Sequence, residues 1–350
     1  MNPLPRPYWT VLPPMMPARV LADLAAGAEG QGIAGIFAPQ VYGPPFTTLA
    51  ALATRTTRVQ LGSGIAIAFT RSPFETAMAA IDLDRISEGR FVLGLGTSTK
   101  VWVEQIFGER FSPPGDRLYE VCQIVREVIA KLHTGEMKGF EGRHYRLDFS
   151  EIQPSLPPVR AQVPIWIAAL RKGLIERAAG YADGLIGHPM WSVAWATEQV
   201  PGYIEEGLAR AGRRRSDLHV NQWHWVAIDD DREAALADAK KTVASYAQHP
   251  QYASYYEHHG FGKVARALHE SVHRDGLDQA AADVPDEMAE IFVRLGSAES
   301  VRKEVEALWR CADSLTLVPP IYCAMDRQLA YLSRIAETFY SAPGATASGE

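Results

Sequence analysis

Short apolar runs alternate along the chain with longer stretches whose apolar positions recur every three or four residues. YWTVLP (8–13), GIFAPQ (35–40), VQLGSGIAI (59–67) and FVLGL (91–95) read as strands. Between and after them, residues 18–31, 45–56, 73–87 and 115–133 read as helices. Pro73 suits a first helical turn, where its missing N–H would be unpaired anyway. In the fourth helix, Leu118, Val121, Cys122, Val125, Val128, Ile129 and Leu132 form one stripe opposite a charged face, the pattern of a helix laid against a sheet.

The alternation breaks at about 134–163. KGFEGRHYRLDF (138–149) reads as a hairpin, and IQPSLPPVRAQVP (152–164) is too rich in proline to hold a ladder, so the segment is an insertion. The pattern resumes with PIWIAAL (164–170), a helix over 173–181, DGLIGHP (183–189), a helix over 193–211 and LHVNQWHWVAI (218–228). Residues 230–312 carry several helical patterns and an aromatic, histidine-rich turn, YASYYEHHGFG (252–262). A last strand, SLTLVPP (314–320), and a closing helix over 325–340 complete eight βα units. The expected fold class is α/β: one (β/α)8 TIM barrel over 1–340 with insertions at about 134–163 and 230–312, and a disordered tail over 341–350. The second insertion is the part a minimal barrel does not need, which predicts a pocket wall or lid.

Composition narrows the class. Apolar residues at 47% and charged residues at 22% match an ordinary globular protein, and a net charge of -6 provides no field to attract nucleic acid or anionic lipid. The amino terminus lacks an apolar run of signal length and no window is long enough to span a bilayer, so a cytoplasmic protein is expected. Cys122, Cys311 and Cys323 are too few and too far apart for a disulfide framework or a thiolate metal site. No HExxH, CxxC or GxSxG occurs, so zinc hydrolysis and serine hydrolysis have no support.

Barrel chemistry sits at the carboxyl ends of the strands. Gly62, Gly64, Gly94 and Gly96 break the third and fourth strands there, which predicts close approach of another molecule to the backbone. GLGTST (94–99) fails the dinucleotide fingerprint because Thr99 stands where a third glycine or alanine is needed. Ala168, Ala169, Leu170, Arg171 and Lys172 lead into a helix whose first N–H groups are unpaired, an anion site in prospect. The acid and base candidates are Gln40 at the end of strand two, Glu104 after strand four and His188 at the end of strand six. Trp191, Trp195, Trp223 and Trp225 are equally suited to an apolar pocket or to core packing.

Several segments taken in order, LGSGIAIAFTRSP, ISEGRFVLGLGTS, FGERF with Arg117 and Glu120 beyond it, FEGRHYRL and VPIWIAALRKGLIERAAGYADGLI, resemble the bacterial-luciferase-like flavin and deazaflavin enzymes. AFTRSP is most similar to the coenzyme F420-dependent branch. The resemblance spans roughly residues 8–340. It implies a bulge with a non-prolyl cis peptide in strand three, at Gly64 and Ile65 beside Ser63, as the rest for the cofactor ring. It further implies that Gly96, Thr97 and Ser98 hold the ribityl chain or phosphate, that the phosphate lies near 168–172, and that the 190s loop and 246–262 cover a small-molecule substrate. Many relatives carry histidine or an acid at the end of strand two, where this chain has Pro39 and Gln40. The implied activity is hydride transfer between the deazaflavin C5 and a small organic substrate. An FMN-dependent monooxygenase using molecular oxygen is the alternative, a non-catalytic ligand-binding barrel the second, and a homodimer the implied assembly.

Overall fold

The order of elements follows the apolar pattern closely. β1 (Tyr8–Val11), α1 (Ala18–Gly30), β2 (Gly35–Ala38), α2 (Pro45–Ala53), β3 (Gln60–Ser63), β4 (Ala66–Ile67), α3 (Pro73–Ile86), β5 (Phe91–Gly96) and α4 (Pro114–Lys131) open the chain. A hairpin, β6 (Gly139–Glu141) and β7 (Arg146–Asp148), occupies the first insertion, and β8 (Ile165–Ala168), α5 (Lys172–Tyr181), β9 (Gly184–Ile186) and α6 (Val200–Ala211) resume the alternation before β10 (His219–Ile228). The computed structural model describes residues 6–14 and 16–340, so the expectation for the tail lies outside the described residues. The fold class is a (β/α)8 barrel.

Contacts divide the chain into two compact units, one of Trp9–Ile186 with Tyr203–His219 and the other built mainly of Gly187–Gly202 and Val220 onward. In the first, β1 pairs with β2, β2 with β3, β3 and β4 with β5, β5 with β8, and β8 with β9, all parallel. β2 and β5 are buried at every position, as strands covered on both faces must be. Trp9 stacks on Phe37 with ring centroids 4.4 Å apart and meets Trp166 at 5.1 Å. Gly35 and Gly62 leave the room for these rings, since a Cβ would come within 2.3 Å of Trp9 and 2.6 Å of Phe37 respectively.

The turn into β3 is held by a buried carboxylate. Glu29 accepts from the N–H groups of Thr57, Arg58 and Val59. Burial alone would raise its pKa, but those donors hold it at about 2. Arg90 closes the same turn on Thr56 Oγ1 and the carbonyls of Ala53, Thr56 and Val59.

In the second unit, α7 (Arg232–Ala247), α8 (Ala253–His258), α9 (Gly262–Asp275), α10 (Leu277–Ala282) and α11 (Asp286–Phe292) confirm the helical reading of the long insertion. β11 (Val293–Gly296) corrects it: this strand pairs in parallel with the second half of β10, Trp225 opposite Val293 and Ile228 opposite Gly296. VRLG gives no strand signal because it follows α11 without a turn residue and carries a charge in its middle. α12 (Ala298–Leu308), β12 (Ser314–Val318) and α13 (Met325–Phe339) finish the chain, β12 pairing with the first half of β10 from Asn221 opposite Ser314.

Arg294 explains why a charge is tolerated in β11. It is 2% exposed, its Nε lies 2.8 Å from Glu304 Oε2, and its Nη2 donates to the Glu290 and Ile291 carbonyls at the end of α11. Removing Arg294 empties its buried place and leaves two helix-end carbonyls without a donor, while Glu304, 43% exposed, is solvated. Arg294→Ala is therefore expected to lose about 2–5 kcal/mol of stability, read as a lowered urea midpoint with the slope unchanged.

Candidate active site

The third strand is interrupted where the glycines fall. β3 ends at Ser63, β4 begins at Ala66, and the intervening Gly64–Ile65 peptide is cis. The backbone polar groups around the break find partners: Gly64 N–H donates to Ala38 O at 2.9 Å, Gln40 N–H to Ile65 O at 3.1 Å, and Ala68 N–H to Gly96 O at 2.9 Å. Ile65 is the single partly exposed residue in the otherwise buried run 61–69. A Cβ on Gly96 would come 2.7 Å from Ile65 Cδ1 and 3.4 Å from Ala168 Cβ, so three of the predicted cofactor segments converge at one point.

A Cβ on Gly64 would strike the Phe37 side chain at 2.7 Å and one on Gly94 the Ser63 carbonyl at 1.9 Å, so their bare Cα atoms admit the protein's own chain in those directions. Ser63 is fully buried, its hydroxyl donating to Gly94 O at 2.8 Å and accepting from Gly94 N–H at 2.9 Å. That reciprocal pair fastens β3 to β5 and commits the hydroxyl proton to the protein's own backbone.

Thr97 and Ser98 are partly exposed beyond β5. Ser98 has φ 56°, a left-handed conformation rare for a residue with a Cβ, while Thr97 Oγ1 donates to Ser98 O at 3.2 Å. Ala168, the last residue of β8, and Leu170 beyond it are partly buried, Ala169 is buried, and Arg171 and Lys172 are exposed at the start of α5. Arg171 forms no ion pair among the described residues, whereas Lys172 Nζ lies 3.3 Å from both Glu176 and Glu206, and hydrogen bonds to those two carboxylates raise its pKa. Of the two cations of the expected anion site, the Lys172 charge is directed to Glu176 on α5 and Glu206 on α6, which leaves Arg171 and the first α5 N–H groups as the candidates for that site.

The three acid–base candidates have different surroundings. Gln40 Oε1 accepts from Ile67 N–H at 2.9 Å and from Arg71 Nη2 at 3.2 Å, and its Nε2 donates to Thr70 Oγ1 at 3.3 Å. An amide engaged on both sides, with no titratable proton, suits a positioning group. Glu104 lies exposed on a π-helical turn, Trp102–Ile106, 3.8 Å from Lys100, and accepts from Phe111 N–H at 3.4 Å. π-helical turns recur at functional sites.

His188 belongs to the second unit. Its Nδ1 accepts from Met190 N–H at 3.1 Å, which places the proton of a neutral ring on Nε2, 3.4 Å from the Tyr252 hydroxyl. Loss of water drives its pKa down to about 3, so it stays neutral across the physiological range. Tyr246 lies 5.7 Å from its ring and 4.8 Å from Tyr252. The expected substrate cover packs on itself here: Trp195 meets Tyr255 at 4.9 Å and His258 at 4.8 Å, and His259 Nε2 lies 2.9 Å from Ser192 Oγ. Trp191 and Trp225 are core residues, at 0% and 1% exposure. Sequence reasoning missed Tyr246, Tyr252 and Arg71. The first two lie in or beside the aromatic insertion, and Arg71 lies inside the TRSP segment used for the resemblance.

A sequence model of the family described as luciferase-like monooxygenase matches residues 6–312. The chain belongs to that family. As a luciferase-like protein it is similar to an F420-dependent glucose-6-phosphate dehydrogenase of Nakamurella multipartita, 32% identical over 63% of this chain and 67% of that protein. Its fold is shared with the coenzyme F420-dependent tetrahydromethanopterin reductase of Methanopyrus kandleri, at TM-score 0.80 and 21% identity over 95% of this chain and 98% of the other. The same holds for a type II Baeyer–Villiger monooxygenase of Pseudomonas putida solved with FMN, at TM-score 0.67 and 14% identity over 96% and 98%. This luciferase-like chain is an enzyme of the oxidoreductase class, which sets aside the non-catalytic barrel. No helix among the described residues is long and apolar enough to cross a membrane.

The buried imidazoles set a pH dependence. His224, 0% exposed on β10, is held at about 3, first by desolvation and then by the Arg294 charge. The unfolded chain takes up its histidine protons below about pH 6.5, while the folded chain resists until about pH 3. Stability is therefore whole above the unfolded value and falls as pH drops through this window, by up to about 1.4 kcal/mol per pH unit for each imidazole. Urea titrations at pH 7 and pH 5 are expected to show the loss, and His224→Gln to reduce its slope.

Proposed function

We propose that the chain is a coenzyme F420-dependent oxidoreductase that passes a hydride between the deazaflavin C5 and a small organic substrate. The observation that carries this reading is the convergence of Ile65, Gly96 and Ala168 at the carboxyl ends of β3, β5 and β8. When bound, the deazaflavin supplies a two-electron hydride acceptor or donor that does not activate oxygen as reduced flavin does. Ile65 presents an apolar side chain suited to one face of a planar ring. Ser98, with no side-chain hydrogen bond among the described residues, and the first N–H groups of α5 suit hydroxyl and phosphate oxygens. Gly173, whose Cβ direction is open, leaves the start of α5 accessible.

Within the second unit, His188 and Tyr252 form a neutral donor pair suited to an alcohol, carbonyl or developing alkoxide oxygen. Glu104 is the exposed acid of the β5 loop in this scheme. An FMN-dependent monooxygenase remains the alternative, for which the FMN complex among the shared folds is the support.

Two measurements test the reading. Spectral titration of the purified protein with each cofactor is expected to give tight binding of F420, and preference for FMN with oxygen consumption on an added donor would reverse the order. Arg171→Met is expected to weaken F420 binding about tenfold, the value of one charge-assisted phosphate contact near 1.4 kcal/mol. Lys172→Met should leave the dissociation constant within about twofold, since that ammonium is held by Glu176 and Glu206.

A further inference from the structure

Arg71 follows β4 by four residues and is partly buried between the interrupted strand and α3. Its Nη2 donates to Gln40 Oε1 at 3.2 Å, and its guanidinium lies 5.0 Å from the centroid of the Phe46 ring. Nη1 is shielded from solvent and has no hydrogen-bond acceptor in the protein. No carboxylate forms an ion pair with Arg71 among the described residues. Glu75, at the start of α3, is the one acidic group that supports its charge, and loss of water pulls its pKa down.

Such an arrangement is costly. A guanidinium does not shed its proton, so burial without an acceptor cannot be relieved by neutralisation. Gln40 cannot turn to help, because its acceptor oxygen is already shared with Ile67 N–H and its donor is engaged by Thr70. The same glutamine N–H holds Ile65 O, so the arginine is fixed one side chain away from the interrupted strand. Arg294 also leaves its Nη1 without an acceptor, but its charge is met by Glu304 2.8 Å from Nε and its Nη2 by two helix-end carbonyls, whereas Arg71 has no ion pair among the described residues and only one amide oxygen and a ring face.

We infer that Arg71 is a ligand-binding residue whose free Nη1 takes an anionic or strongly polarised carbonyl oxygen of a molecule seated beside residues 64–67. The inference deepens the proposed function and rests on it for the identity of that molecule. The oxygen belongs either to the cofactor ring edge or to a carboxylate substrate. Gln40 and Thr70 are then positioning residues that hold the fork in place.

The test compares wild type with Arg71→Lys, Arg71→Met and Gln40→Glu, using F420 fluorescence titration and benzoate-induced thermal shift as separate probes. If the cofactor supplies the oxygen, F420 affinity falls about tenfold or more in Arg71→Met and partly recovers in Arg71→Lys. If a carboxylate supplies it, F420 affinity holds while the benzoate shift disappears. Gln40→Glu places a resident counter-charge beside the guanidinium and is expected to raise the melting temperature without ligand while weakening whichever probe binds. This variant also serves if Arg71→Met does not fold.

Wild type binding F420 with both probes indifferent to every substitution overturns the inference and leaves the proposed function standing. Wild type that responds to benzoate through Arg71 but binds no F420 overturns the proposed function and keeps the inference. A wild type that binds neither probe overturns both.

Discussion

The candidate cofactor site depends on an interruption of the third strand being held open by the second. Gln40, just past β2, contacts this segment through its main-chain N–H, its amide oxygen and its amide nitrogen, meeting Ile65 O, Ile67 N–H and Thr70 Oγ1. Every polar group freed by the break in the ladder must find another partner in a region without water. Because these partners come from a neighbouring strand rather than from solvent, the segment has a defined shape with Ile65 turned out of an otherwise buried run. The contacts of Gly96 with Ile65 and Ala168 then place the loops after β5 and β8 beside it.

Electrostatics divides the two units by character. Around the interrupted strand the polar groups are a guanidinium and helix-start N–H groups, which donate, and the Gln40 amide, whose oxygen accepts from Arg71. Around His188 they are a neutral imidazole and phenols, with burial pushing the Tyr252 pKa up to about 12 and holding the ring of His188 uncharged. The first set suits an anionic group, and the second donates hydrogen bonds without carrying charge. Desolvation is the common cause, since it strengthens hydrogen bonding by uncharged donors and penalises charges that lack a partner.

Much of the fold was legible from periodicity, with particular failures that share a cause. The strands before residue 230 and the helices between them appeared where the apolar pattern placed them, because parallel strands buried on both faces must be continuous apolar runs. β11 was missed because a four-residue strand containing Arg294 is stabilised by Glu304 and by helix-end carbonyls, none of which is near it in the pattern. The glycines of β3 and β5 were noticed for the absence of a side chain, but what fills the Cβ direction of Gly62, Gly64 and Gly94 was not legible. Phe37 and Ser63 occupy the space, and they arrive through strand pairing.

By itself the sequence determined the βα alternation, the two insertions, the family resemblance and the segments from which a site would be built, because each is carried by residue type and local spacing. Only the tertiary structure decided what each side chain faces. It engaged Lys172 with Glu176 and Glu206, turned Gln40 onto the interrupted strand, closed the Ser63 hydroxyl on Gly94, and left one nitrogen of Arg71 without an acceptor. The physical reason is range: helix and strand preferences are set by neighbours a few residues away, whereas hydrogen-bond partners and burial are set by atoms that meet only after the chain has packed.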